Sequence, residues 1–171
     1  NELLKSFQIG LDVGDNQFAS YVAIDYCIYR LLGGYHLEEV EQEYIKYNRV
    51  IKKLKQTFSS FYQEISYNIV NNLQKSLKKE IALFVGKSPE EENAVLDQLN
   101  QTNNEWLLFL IYFAKLLLFY LLKIYKSAVT YGERGLQYIS NPTINSFLIS
   151  PQHNFYSSLS FLAAKIGLIS P

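Results

Sequence analysis

The sequence predicts an all-α fold of antiparallel helical hairpins, about seven or eight helices in number. Three observations carry the prediction. Apolar residues recur at spacings of three and four through every long segment, which is the period of a helix face. Eight glycines and four prolines in 171 residues are too few for the many tight turns of a sandwich or barrel. Hydrophobic residues make up 49% and charged residues 19%, so the chain can bury a core and fold as a single domain spanning 1–171.

The first helix is expected from Asn1 to Val13, with Leu3, Leu4, Phe7 and Leu11 on one stripe and Gly14 as its stop. Asp15 then caps a second helix in which Phe18, Ala19, Val22, Ala23, Tyr26, Tyr29 and Leu32 recur up to Gly33-Gly34. About two residues join these helices, which makes them antiparallel neighbours. The third block carries the longest stripe: Leu37, Val40, Tyr44, Tyr47, Ile51, Leu54, Phe58, Phe61 and Ile65 alternate three and four spacings. Glu38, Glu39, Glu41 and Glu43 lead it and Lys46, Arg49, Lys52, Lys53 and Lys55 follow, an order that complements the helix dipole. An unbroken helix would leave part of this stripe for a second chain, through Val40, Tyr47, Leu54 and Phe61. A break near Ser59-Ser60, with one helix to about Thr57 and another to Leu77, would let the halves cover each other and leave a monomer.

Farther on, Ser88 is an N-cap, Pro89 stands at the first helical position and Glu90 to Glu92 fill the first turn. That helix fades at Asn100 to Asn104. The most apolar run, WLLFLIYFAKLLLFYLLKIY, begins at Trp106, and its partner runs from Tyr125 to Ile139 with Asn141-Pro142 as the stop. A last helix is expected from about Asn154 to Ile169. Short β-like runs at Ile81 to Val85 and Phe147 to Ile149 are too isolated to build a sheet.

Several functions are excluded or disfavoured at this level. Lys plus Arg equals Asp plus Glu at 16 each, so no electrostatic footprint for nucleic acid exists. Cys27 is the single cysteine and His36 and His153 the only histidines, which leaves no set of thiolate and imidazole ligands for a metal. Residues 106 to 125 are long and apolar enough to raise the question of a membrane span, but Lys115 at the centre is expensive there, and an all-apolar helix is equally the centre of a helical stack. Gly86-Lys87-Ser88 imitates the end of a phosphate loop, yet Ile81 stands where its first glycine belongs. His153 lacks the acidic neighbour and proline of a phospho-acceptor box, and Asp12 and Asp15 are accounted for by solvent and a helix cap. No catalytic, cofactor-binding or metal-ligating residue is expected. The single cysteine and the lack of a leader point to the cytoplasm, and a first residue of Asn rather than Met suggests a segment of a longer polypeptide.

The positive signal is helix-hairpin packing. Gly14-Asp15-Asn16-Gln17-Phe18-Ala19 is close to the tetratricopeptide pattern, with Gly10 at a close-contact position in the preceding helix. Lys123-Ile124-Tyr125-Lys126-Ser127-Ala128 is a second copy, followed by Gly132 and Gly135. The array is degenerate, because the two copies are not a whole number of repeats apart.

These residues resemble the helical region of the large cyanobacterial multi-sensor signalling kinases. The resemblance is carried by Gly10-Leu11-Asp12-Val13-Gly14-Asp15 with Phe18-Ala19 and Tyr21, by Gly34, Leu37, Glu41 and Tyr47, and by Asn71-Asn72-Leu73. Tyr125 with Ala128, and His153-Asn154-Phe155-Tyr156 with Ser158-Leu159 and Leu162-Ala163, close it. It implies a non-catalytic interaction and signal-transmission module between an NTPase and downstream GAF and kinase domains, whose partners are other domains of the same chain or a separate protein. None of that family's catalytic motifs is present, so no active site carries over. The alternative is a small-molecule sensor with an aromatic-lined pocket, suggested by 14 Tyr and 11 Phe.

Overall fold

A computed structural model describes residues 2–75, 83–147 and 149–169. The described residues form nine helices and no strand: α1 (Glu2–Asp12), α2 (Asn16–Leu32), α3 (Leu37–Lys53), α4 (Thr57–Lys75), α5 (Pro89–Gln101), α6 (Glu105–Leu121), α7 (Tyr125–Leu136), α8 (Pro142–Asn145) and α9 (Ile149–Ile169). The fold is all-α, as the periodicity predicts. The count exceeds seven or eight because Asn141-Pro142, read from sequence as a stop, also starts the single turn α8: the Asn141 side chain accepts from Thr143 N at 2.9 Å and Pro142 supplies a preset φ.

One device ends five of these helices. Gly14, Gly34, Lys55, Asn103 and Lys123 follow the last turn with φ between +51° and +77°. At four of them the amide of the next residue reaches back five positions: Tyr35 to Arg30 O, Gln56 to Ile51 O, Asn104 to Leu99 O and Ile124 to Phe119 O. This closure satisfies carbonyls the helix would otherwise leave open and reverses the chain within a few residues.

The chain divides into two compact units, Asn1–Gln74 and Lys75–Pro171. In the first, α1 and α2 approach closely at Gly10, where an added Cβ would lie 3.1 Å from that of Ala19. Ala19, Ala23, Ile24 and Cys27 of α2 are fully buried. The α3 stripe is buried at Val40, Tyr44, Tyr47 and Ile51, with Tyr47 edge-on to Phe7 and Tyr26 at 5.4 and 5.6 Å. It does not continue as one seam. The helix breaks at Leu54 to Gln56, three residues before Thr57 and earlier than Ser59-Ser60, because Lys55 adopts φ +55° without being Gly or Pro. The link resets the helical phase. Phe58 is left 39% exposed, while Tyr62, Ile65, Ile69 and Val70 form the buried face of α4. Tyr67 OH and Gln74 Nε2 both donate to the Glu41 carboxylate, at 3.1 and 3.2 Å, and tie α4 to α3.

In the second unit, α6 is buried at every position from Leu107 to Leu118. It packs against α5, α7 and α9, so the apolar run is the centre of a helical stack. Among the described residues no helix is long and apolar enough to cross a membrane. Helix α9 begins at Ile149, five residues before the expected Asn154, with Pro151 in its first turn, where a missing amide proton costs little. Leu83 to Val85 form no strand; Ile81, Ala82 and Leu148, which belonged to the β-like runs, lie outside the described residues.

Candidate interaction site

Helices α7 and α9 cross on small residues. Ala128, Gly132 and Gly135 are the buried positions of α7. A Cβ at Gly132 would stand 2.6 Å from Ser157 Oγ, and one at Gly135 would overlap Nε2 of His153. Glycine is required here by close approach of the backbone rather than by its own dihedrals. His153 is fully buried, and among the described residues neither ring nitrogen has a partner in hydrogen-bond geometry. Burial pushes its pKa down to about 4, opposed weakly by the nearby Gly132 backbone and Asn154 side chain. The neutral imidazole packs as an aromatic plate 5.3 Å from the Phe109 ring. The early start of α9 places it there. From the sequence, His153 preceded the helix, so its burial inside α9 was not legible.

Along the outside of this crossing runs a groove of ≈560 Å³. It is lined by apolar Val129, Leu136, Phe161 and Leu162, by polar Glu133, Asn154 and Ser158, and by Gly132 and Ser157 of the crossing itself. Leu136, Phe161 and Leu162 are 58%, 48% and 56% exposed. Three large apolar side chains open to solvent around one concavity, with polar groups beside them, have the anatomy of a peptide-binding surface.

The wall of the second unit beneath α5 is held by a buried ion pair. Lys115 Nζ donates to Glu92 Oε2 at 2.5 Å, and both residues are 5% exposed. Glu92 Oε1 accepts from Phe84 N at 2.8 Å, and the ammonium lies 5.0 Å from the Tyr131 ring centroid and 5.9 Å from that of Phe84. The pair therefore pins the 83–85 segment onto α5 and α6. Glu92 looked from sequence like one of three first-turn dipole partners; the signal that it turns inward is Lys115, a cation in an apolar run that needs a buried carboxylate. In the Gly86-Lys87-Ser88 segment, Lys87 N donates to Glu91 and Ser88 Oγ accepts from Glu91 N, which is helix-capping chemistry.

The first unit contains its own polar cluster. Gln63 Nε2 donates to Tyr44 O at 3.4 Å and lies 4.0 Å from Cys27 Sγ, while Gln63 Oε1 and Tyr44 OH are buried without a partner. Burial raises the Asp25 carboxyl to about 6. The Cys27 thiol is pushed up to about 12, first by burial. That is the opposite of the depressed value a thiolate nucleophile needs. Among the described residues no group of three or more His, Cys, Asp or Glu side chains could hold a metal ion.

The motif residues fall into two sets. Gly10, Gly14, Asp15 and Ala19 meet at the α1–α2 turn, where Asp15 Oδ1 accepts from Phe18 N at 3.0 Å. At the α6–α7 turn Lys123 takes the positive-φ role of Gly14, but Ile124 has no capping side chain. Ala128 is buried, and the rings of Tyr125 and Tyr156 lie 5.9 and 5.3 Å from that of Tyr120. Phe155 is 56% exposed and touches its neighbour Tyr156. Comparison of the chain with protein-family models, with curated proteins and with solved structures yields no match.

Proposed function

We propose that the chain is a non-catalytic protein-interaction and signal-transmission module of a multi-domain sensor kinase, cytoplasmic and monomeric in isolation. The observation that carries this reading is the α7–α9 groove, whose exposed Leu136, Phe161 and Leu162 form a ready apolar wall. Its occupant is an amphipathic helical segment of another domain of the same chain or of a partner protein, seated by apolar anchors at helical spacing. The tetratricopeptide-like character rests on the small-residue contacts at Gly10 with Ala19 and at Gly132 and Gly135 with α9. The sensor alternative draws less support, since Tyr112, Tyr131, Tyr138 and Phe119 stack on one another.

Selection of a displayed library of helical peptides against the full chain, counter-selected on the Leu136→Ser/Leu162→Ser variant, tests the reading. Peptides that bind the parent and not the variant support it. A library that yields only binders indifferent to these two positions contradicts it.

A further inference from the structure

A second cavity, of ≈430 Å³, opens where the α5–α6 turn meets α8. That size falls in the range of small-molecule sites, about 300–1,000 Å³. Its lining differs in kind from that of the α7–α9 groove: side-chain amides, hydroxyls and one carboxylate from Asn103, Asn104, Glu105, Asn141 and Thr143, with one indole, Trp106.

Part of this polar set is committed to the fold. Asn104 Oδ1 accepts from Leu107 N at 3.3 Å, and Asn141 Nδ2 donates to Glu105 Oε2 at 2.7 Å while its Oδ1 caps Thr143 N. The remainder is uncommitted: among the described residues the Asn103 side-chain amide, Asn104 Nδ2, the Thr143 hydroxyl and Glu105 Oε1 have no hydrogen-bond partner. Donors and acceptors thus share one cavity lining. Asn103 is placed there by the turn itself, at φ +51°. Trp106 is held by Phe147, with ring centroids 4.4 Å apart.

The lining discriminates among ligand classes. It contains no cationic side chain, so a phosphate or carboxylate would meet the Glu105 carboxylate with no formal positive charge to offset the repulsion. Its only aliphatic member, Ile144, is 1% exposed, so an apolar ligand would gain little and would strand the amides. Vicinal hydroxyls both donate and accept, and the C–H face of a sugar ring suits an indole. We propose that this pocket is a binding site for a neutral polyhydroxylated small molecule of the saccharide class, hydrogen-bonded by Asn103, Asn104, Glu105 and Thr143 and stacked on Trp106. The site is separate from the α7–α9 groove and does not depend on its reading.

Trp106 is the single tryptophan of the chain, so its emission reports directly on the pocket. The experiment titrates the full chain with glucose and with maltose to about 50 mM, enough to saturate a millimolar site, with glycine betaine as the bulk-solvent control. The expected result is a saturable change in Trp106 emission with at least one sugar and none with betaine. The variant Asn103→Gly/Thr143→Val removes an amide and a hydroxyl while Gly keeps the positive φ; it should weaken the sugar about tenfold, as two lost hydrogen bonds imply, with an unchanged melting temperature. No saturable change with either sugar overturns the proposal. So does equal affinity in the double variant, or a response to inorganic phosphate in place of the sugars.

Discussion

Gly135 of α7 lies against the imidazole of His153 in α9 so closely that a Cβ on the glycine would overlap the ring nitrogen Nε2. The backbone of one helix is thus in contact with the side chain of the other, and the crossing has no room for adjustment. Gly135→Ala should cost about 1–3 kcal/mol from overpacking, offset by up to about 1 kcal/mol from the better helix propensity of Ala. In the His153→Ala background the overlap is gone, and the same substitution should be neutral or stabilising. Melting curves of the two single variants and the double variant check this. Additive losses would reject the contact as the cause.

The Glu92–Lys115 pair should behave as a latch rather than as a source of net stability. Lys115→Met leaves a buried carboxylate without its cation, a loss of about 3–5 kcal/mol. Glu92→Leu combined with Lys115→Met removes both charges and should recover most of that loss, except for the hydrogen bond from Phe84 N. Urea denaturation of the three proteins is the measurement.

Acidification should act on the two units in opposite directions. His153, ordinarily near 6.5 and held near 4, stays neutral in the fold while the unfolded chain takes up a proton. Its contribution is complete above pH 6.5 and is lost as pH falls toward 4, about 2 kcal/mol by pH 5. Asp25 is raised from 3.8 to about 6, so its penalty is full above pH 6 and is relieved as pH falls toward 3.8. Trp106 emission follows the second unit, and the buried Cys27 thiol, labelled with 4,4′-dithiodipyridine, follows the first. Between pH 7 and 5 the Trp106 melting transition should drop while Cys27 protection, corrected for intrinsic reactivity, should rise. Parallel movement of the two probes would contradict the assignment.

Two turns carry lysine in the left-handed region, Lys55 at φ +55° and Lys123 at +61°. Each bears a strain that glycine avoids, so Lys55→Gly and Lys123→Gly should each stabilise the chain by about 0.5–1 kcal/mol. Gly14→Ala, at φ +77° with open space around its Cα, should destabilise by a similar amount through backbone strain alone. Thermal denaturation of the three variants decides the matter.

How much of this was legible in sequence follows from what periodicity encodes. The apolar stripes and the Gly14, Gly34 and Ser88 signals mark real helix ends, and the 107–118 run, apolar but for Lys115, is the centre of the second unit. The α3–α4 break was displaced because Lys55 carries no compositional mark of its backbone state. Spacing alone puts His153 before the last helix, because Pro151 resembles a boundary while standing inside the first turn of α9. The groove was beyond reach for a different reason: nothing in the spacing marks Leu136 and Leu162 as exposed, and only the placement of neighbouring helices leaves them open. Glu92 and the Asn103–Trp106 pocket depend on which way a side chain at a helix start turns, which three-dimensional packing decides.

Isothermal titration of a selected helical peptide into the parent chain and into Leu136→Ser/Leu162→Ser tests whether the α7–α9 groove is an interaction surface. Both leucines are more than half exposed, so the variant should keep its melting temperature. Loss of two apolar anchors should weaken binding at least tenfold, about 1.4 kcal/mol or more. Equal affinity in a variant that remains folded would contradict the claim.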